Sequence, residues 1–210
     1  MSPPIPDAAS SSPFSVRRRH EAAGEELVDL EWVDEQLEPD PGWAVLERQE
    51  RMKDFPPGRE PGRFVPTWAN AGVALRCYRR EADGVIVGKA FFGPLAGGPP
   101  GHAHGGAHMA VLDHAFGSAA WTSGYPVVTA SMTYDFRRGI PTGSIVLVEA
   151  EIESVEGRKV RVRGRLHDRE GNVFGSGHAL FLTMTTEQAR VMALSSPKGA
   201  AGDSREEPAG

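Results

Sequence analysis

Hydrophobic and polar residues alternate along several segments of this chain, as they do in strands that bury one face. The most regular alternation lies in 127–136 and assigns one set of side chains to a single face: Val128, Ala130, Met132, Tyr134 and Phe136. Val127 and Thr129 then occupy the opposite, more polar face. Other strands are predicted over these ranges: 73–78, 85–92, 144–154, 159–167 and 173–184. Because short turns separate most of them, neighbouring strands are expected to be antiparallel.

Helical periodicity occurs in two regions of the sequence. The segment Gly105–Thr122 lies between the second and third predicted strands and is apolar on nearly every side, which predicts a buried helix. Nearer the N-terminus, leucine and valine residues recur at helical spacing within 21–40 and predict an amphipathic helix that ends before Pro39. A second short helix is predicted over 43–53.

The order of these elements is two strands, one buried helix and four further strands, and this order predicts the fold. A single antiparallel sheet of six strands can wrap around one central helix, so that both contribute to one core. That α+β arrangement is the hotdog fold. The domain is expected to cover 26–190, including the N-terminal helices. Residues 1–25 and 191–210 are expected to be disordered tails, because they contain few large apolar side chains.

Composition narrows the class of protein without changing this picture. The 210 residues are 40% hydrophobic and 24% charged, which suits one globular core. The net charge of −5 gives no general attraction to nucleic acid, and no apolar run reaches the roughly 20 residues that span a bilayer. The single cysteine, Cys77, excludes an intrachain disulfide framework. No secretory signal is evident, so a cytoplasmic protein is expected.

The start of the buried helix carries the residues best suited to chemistry. Gly105 and Gly106 allow another group to approach the backbone closely, and the first amides of a helix have no intrahelical acceptor. Such amides can polarise a carbonyl group and bind the oxyanion that forms when it is attacked. Asp113 lies two turns further along, in an otherwise apolar helix. Burial would make this carboxylate a stronger base, or it is instead paired with a buried donor such as His114.

Helix geometry separates these two groups. Asp113 follows Gly105 by eight residues, so it lies about 12 Å further along the helix axis and about 80° around it. One small reacting group cannot easily touch both within a single chain. The sequence therefore predicts a site shared between two subunits related by a two-fold axis.

The residues around this helix resemble a known signature. His104-Gly105-Gly106, separated by six residues from Asp113, is similar to the HGG…D signature of hotdog acyl-CoA thioesterases in the PaaI-like and THEM4-like branch (4HBT-type). The similarity continues in register over further segments: 128–130, 134–141, 156–159 and 176–183. The resemblance implies an enzyme that hydrolyses an acyl-CoA thioester to the free acid and CoA, with no cofactor and no metal.

The resemblance also implies roles for individual residues. Asp113 would be the nucleophile or the general base that activates water, and the Gly106 amide would polarise the thioester carbonyl. His104 would shape or hydrogen-bond the same site, and Thr129 would position water or the carboxylate. The residues expected to bind the substrate are these: Gly105, Asp135, Arg137, Arg158 and Lys159. Asp135 departs from the family, whose members often carry Asn at this position.

Three other functions fit parts of the sequence. A hotdog protein can bind acyl-CoA without hydrolysing it, and a hotdog dehydratase would use a different arrangement of Asp and His. A metal enzyme is suggested by four closely spaced histidines, His102, His104, His108 and His114. His102 and His104 form an HxH pair like that of the metal-binding cupin motif, but the Glu that follows this pair in cupins is absent. The basic row within 161–167 is interpreted as a solvated strand face or an acyl-CoA rim, not a nucleic-acid surface. A homodimer or a dimer of dimers is expected, with no nucleic-acid or membrane partner.

Overall fold

The computed structural model describes residues 18–19, 27–28, 30–46, 72–185, 187–188 and 191. Its principal helices are α1 (Leu30–Gln36) and α2 (Gly105–Thr122). Its strands are β1 (Arg18–Arg19), β2 (Leu27–Val28), β3 (Trp43–Val45), β4 (Val73–Arg80), β5 (Ile86–Phe92), β6 (Val127–Phe136), β7 (Ser144–Glu156), β8 (Lys159–His167) and β9 (Val173–Thr183).

Seven strands form one antiparallel sheet in the order β3-β4-β5-β7-β8-β9-β6. The predicted sheet around one helix is confirmed, but the expected number of six strands is wrong, because β3 lies at the edge where the sequence predicts a helix. The Trp43 ring packs against Tyr78 with 6.0 Å between ring centroids, and Lys89 Nζ lies 5.7 Å from the Trp43 ring. These contacts with neighbouring strands outweigh the local helical spacing. The rest of the predicted helix, from position 47 to 53, lies outside the described residues.

The helix α2 is the centre of the core. Its bounds are those that the sequence predicts, and it contacts strands β4 to β9. Its buried apolar side chains lie on one half of the helix, which packs against the sheet: Val111, Leu112, Ala115, Phe116, Ala119 and Ala120. The opposite half also carries apolar side chains, such as Ala110 and Trp121, but these are only partly buried in one chain. The sheet therefore removes one half of α2 from water.

A smaller cluster lies on the other face of the sheet. There α1 buries Val33 and Leu37 against Ala74 and Phe91, which belong to β4 and β5. The amphipathic helix predicted within 21–40 is therefore present in its second half. Its first half is absent among the described residues, where β2 pairs with β1 instead.

The predicted tails fall mostly outside the described residues. Of residues 1–25, only β1 is described, and of residues 191–210, only Val191. The tail boundaries therefore stay predictions. Within the described ranges, no helix combines the length and the apolar character needed to cross a membrane.

The edge strand β6 contains an irregularity. It pairs with β9 alone, and its register shifts at Ala130. Thr129 lies opposite Phe181, whereas Ser131 lies opposite the adjacent residue, Leu180. Two residues of β6 thus oppose one step of β9, which defines a β-bulge.

The bulge reverses the predicted faces of the residues that precede it in β6. Val127 is buried in the core around α2, and Met132 and Tyr134 pack against the same core. Thr129 shares this side of the strand with Tyr134 and Phe136, because the extra residue shifts the alternation by one position. The prediction that Thr129 lies on the opposite face is therefore wrong.

We expect Gly117→Ala to raise the free energy of unfolding by roughly 0.5–1 kcal/mol, because glycine inside a helix is less favourable than alanine by about this amount. The added Cβ would meet nothing within 4 Å. Gly164→Ala is the matched control and is expected to lower the free energy of unfolding. Its Cβ would collide with the Glu149 carbonyl oxygen and lie 2.8 Å from the Phe116 ring. Urea unfolding followed by circular dichroism measures both changes. If Gly117→Ala is less stable than the wild type, the space beside Gly117 is not open as the structure shows.

Candidate active site

The start of α2 is held by the loop that precedes it. The His104 amide donates to the Ala96 carbonyl oxygen at 2.6 Å, and the Ala103 amide donates to the Ile140 carbonyl oxygen at 2.8 Å. His104 is the N-cap residue, and its Nδ1 accepts a hydrogen bond from the Gly106 amide at 3.0 Å. The imidazole therefore takes up one of the amides that the sequence predicts to be free at this helix start.

Gly105 lies directly against Phe136. A Cβ at Gly105 would lie 2.9 Å from the Phe136 ring, which real Cβ atoms essentially never do. Phe136 is the last residue of β6 and is 56% exposed. The absence of a side chain at Gly105 thus allows α2 to begin in contact with one end of the edge strand.

Asp113 lies beside the other end of β6. Thr129 Oγ1 donates a hydrogen bond to Asp113 Oδ1 at 2.9 Å. Asp113 is only partly buried, which corrects the expectation of burial, and the partner in this hydrogen bond is Thr129, not His114. The bulge at Ala130 makes the contact possible, because it turns Thr129 towards α2.

The two halves of the candidate site are separate within one chain. Thr129 and Phe136 are seven residues apart, which corresponds to about 23 Å along an extended strand. Asp113 lies at the first of these positions and Gly105 at the second. Gly105 and Asp113 belong to one continuous helix, so the separation predicted from helix geometry is present. Each half lies beside the free edge of the sheet.

The basic residues expected to bind CoA lie at two ends of the sheet. Arg158, in the turn between β7 and β8, donates from Nη2 to the Thr183 carbonyl oxygen at 3.0 Å, where β9 ends beside the start of β6. Lys159 follows it as the first residue of β8. The Arg137 amide instead bonds to the Phe174 carbonyl oxygen at the beginning of β9. One chain therefore does not bring Arg137 together with Arg158.

Asp135 lies on the face of the sheet that points away from α2. It lines an open groove of about 520 Å³, together with arginine and glutamate side chains of β7 and β8. Arg163 pairs with Glu151 at 2.9 Å, and Arg165 pairs with Glu149 at 2.8 Å. The basic row predicted on β8 is thus largely neutralised by β7, and Asp135 is not close to Asp113.

The closely spaced histidines have separate environments. His102 Nδ1 lies 2.9 Å from the Pro100 carbonyl oxygen, His104 caps α2, and His108 is buried in the protein. The described part of the chain contains no group of three His, Cys, Asp or Glu side chains that could hold a metal ion. The histidines behind the metal-enzyme alternative are therefore not arranged as ligands.

His108 and Tyr134 form a polar pair that the sequence does not predict. His108 Nδ1 lies 3.2 Å from the Tyr134 hydroxyl oxygen. Burial, with a smaller contribution from nearby His104, lowers the pKa of His108, and burial raises the pKa of Tyr134. Both side chains are therefore neutral near pH 7. In the sequence, His108 could have been connected with the site only through its four-residue spacing from His104, because residues at this spacing lie on one side of a helix.

An antiparallel sheet that wraps around one central helix is the arrangement of the hotdog fold. Comparison with known families agrees, since residues 100–174 match the model of the thioesterase superfamily. The matched segment is about a third of the chain and contains α2, β6, β7 and β8.

Known proteins resemble part of the chain. Acyl-coenzyme A thioesterase THEM4 of Xenopus laevis is 32% identical over 138 residues, which cover 63% of this chain and 62% of that protein. Acyl-coenzyme A thioesterase THEM5 of Homo sapiens is 32% identical over 92 residues, which cover 43% of this chain and 37% of that protein. The chain thus spans less than two thirds of the length of these curated relatives.

A solved structure shows the same fold. The crystal structure of a Streptococcus mutans UA159 protein bound to acetyl CoA superposes with a TM-score of 0.50 and 12% sequence identity. The superposition covers 60% of this chain and 97% of that protein. At this identity, the similarity concerns the fold alone.

We expect acidification from pH 7 to pH 5 to lower the free energy of unfolding. Burial lowers the pKa values of His108 and His114 in the folded protein, so below about pH 6.5 the unfolded chain binds more protons. Stability is therefore lost as the pH falls through this window, above the range where carboxylates titrate. Urea unfolding at three pH values measures the slope. His108→Gln removes one titrating group and is expected to reduce the slope, and an unchanged slope would contradict this origin.

Proposed function

We propose that the protein is an acyl-CoA thioesterase that hydrolyses an acyl-CoA to the free acid and CoA. The hydrogen bond from Thr129 to Asp113 carries this proposal, because it orients a partly buried carboxylate within the segment that matches the thioesterase superfamily. The relatives described above are named acyl-coenzyme A thioesterases, which supports the same reaction.

The reaction needs a base or nucleophile and a site for the oxyanion. Asp113 accepts a proton from water as the water oxygen attacks the thioester carbonyl carbon. The Gly105 amide, at the positive end of the α2 dipole, stabilises the oxyanion. The Gly106 amide contributes once it exchanges its hydrogen bond to His104 Nδ1 for one to the oxyanion. The C–S bond then breaks, and CoA leaves as a thiolate that takes up a proton. No step requires a cofactor or a metal.

A homodimer completes this site. The strand β6 is an edge strand with exposed apolar side chains, including Val128 and Phe136, and such edges pair readily with another strand. Antiparallel pairing of β6 with β6 of a second subunit, about a two-fold axis near the strand centre, sets Thr129 opposite Phe136 of the other chain. Asp113 of one subunit then faces the α2 start of its partner.

The same pairing gathers the cations for CoA. Arg158 and Lys159 lie near the Thr129 end of β6, and Arg137 follows its other end, so the dimer brings them to the same side from different subunits. Because CoA carries phosphates and the chain has a net charge of −5, local basic groups must supply the attraction. A substrate contact of Asp135, a dimer of dimers and a cytoplasmic location stay predictions from the sequence.

We expect Asp113→Asn to keep the fold and to lower turnover by about 10³-fold or more, because the amide retains the size of the carboxylate but cannot accept the proton. CoA release from short, long and aromatic acyl-CoAs, followed with a thiol-reactive dye, measures this loss. Glu153→Gln is the matched control, since it removes an exposed carboxylate of β7 away from α2.

Near-wild-type turnover in Asp113→Asn would refute its role. Binding of acyl-CoA without turnover by the wild-type protein would instead indicate the non-catalytic acyl-CoA binder. Single turnovers in ¹⁸O-water distinguish the two roles of the carboxylate, because label enters Asp113 only if this residue attacks the carbonyl as a nucleophile.

We expect mixed dimers of two inactive variants to recover activity. Asp113→Asn lacks the carboxylate, and Gly106→Val obstructs the helix start, because its Cβ would lie 3.0 Å from His104 Nδ1. In an equal mixture, half of the dimers are mixed and hold one intact site of two, so about one quarter of wild-type activity returns. No recovery, with subunit exchange verified by native mass spectrometry, would place the whole site in one chain.

A further inference from the structure

We propose that His108 selects acyl groups that carry an oxygen atom near the thioester, as 3-hydroxyacyl and 3-oxoacyl groups do. This inference deepens the proposed thioesterase function and rests on it. Its starting point is His108 Nε2, which is buried and has no hydrogen-bond partner among the described residues. Native proteins seldom leave a buried polar atom unpaired without a reason.

The His108 ring lies in an aromatic box formed by Phe92, Tyr134 and Phe136. The distances between ring centroids are 5.7 Å to Phe92, 6.0 Å to Tyr134 and 5.7 Å to Phe136. The His108 side chain is 2% exposed. Apart from the Tyr134 hydroxyl, these walls offer no hydrogen-bonding oxygen, so an acceptor for Nε2 has to come from a bound molecule.

Tyr134 determines which nitrogen of His108 carries the proton. If its hydroxyl donates to Nδ1, 3.2 Å away, the hydroxyl proton is paired and the imidazole proton lies on Nε2. The other tautomer would leave both the hydroxyl proton and the Nε2 lone pair without partners in the described part of the chain. The first arrangement leaves fewer groups unpaired, so His108 presents a neutral Nε2–H donor.

The aromatic box adjoins the helix start, where the thioester carbonyl binds in the proposed mechanism. His108 follows Gly105 by three residues, so it lies about 4.5 Å further along the helix axis and on nearly the same side. The Phe136 ring lies against both residues and is the exposed wall of the box, so its displacement opens a path to Nε2. An oxygen on carbon 3 of the acyl group is a few bonds from the carbonyl and matches this separation. An unsubstituted chain offers no acceptor there.

The test uses three substrates of one chain length, the length that the wild-type protein hydrolyses fastest: the unsubstituted acyl-CoA and its 3-hydroxy and 3-oxo analogues. We expect wild-type kcat/KM to favour at least one oxygenated substrate by roughly 10-fold or more. His108→Leu is expected to lose this preference and to keep hydrolysis of the unsubstituted substrate within a few-fold of wild type. His108→Gln keeps an N–H donor and should retain part of the preference.

His114→Leu is the matched control. It replaces another histidine of α2 whose pKa is lowered by burial, but His114 lies outside the aromatic box, so the preference should persist. If His108→Leu does not fold, His108→Gln and Tyr134→Phe decide the question. Tyr134→Phe removes the hydrogen-bond partner of His108 Nδ1, so the imidazole proton is no longer fixed on Nε2. This variant is expected to weaken the preference several-fold.

The outcomes separate this inference from the proposed function. Equal hydrolysis of all three substrates by the wild type would overturn the role of His108 and leave the thioesterase proposal standing. A preference that persists undiminished in the His108 and Tyr134 variants would do the same. If the wild-type protein hydrolyses no acyl-CoA of any chain length, the proposed function is overturned, and the inference with it.

Discussion

The enclosure of α2 is the constraint on which the rest of the structure depends. The buried half of this 18-residue helix carries six apolar side chains, and only a sheet that covers this half removes them from water. Close approach requires small residues where the sheet meets the helix: at Gly164 an added Cβ would lie 2.8 Å from the Phe116 ring, and at Gly177 it would lie 3.3 Å from Leu112. The curved sheet then ends in β6, whose free edge borders α2 along its length.

A single inserted residue in β6 connects this architecture to chemistry. Without the bulge at Ala130, regular alternation would direct Thr129 to the face away from α2, and Asp113 would lose its donor. The same edge contacts Gly105 at its other end through Phe136. Both halves of the candidate site therefore lie beside the one long strand that has a free edge, which is why a second subunit can complete the site.

The polar groups around α2 are few, and their partners define what each can do. His104 holds the Gly106 amide, Thr129 orients Asp113, and the pair of His108 and Tyr134 remains neutral within aromatic walls. Hydrogen bonds in such surroundings are strong and unpaired donors are unfavourable. Substrate recognition thus depends on the few atoms that still lack a partner.

The sequence by itself determined the parts of the protein that depend on neighbouring residues. The bounds of α2, the six main strands, and the spacing of His104, Gly106 and Asp113 all follow from local periodicity and motif, because side-chain period and helix rise are properties of adjacent residues. Only the tertiary structure decided the rest: β3 forms through pairing with a distant strand, Thr129 changes face through register with β9, and the box around His108 gathers rings from α2, β5 and β6. Each of these depends on segments that are remote in the chain, and local patterns carry no information about how such segments meet.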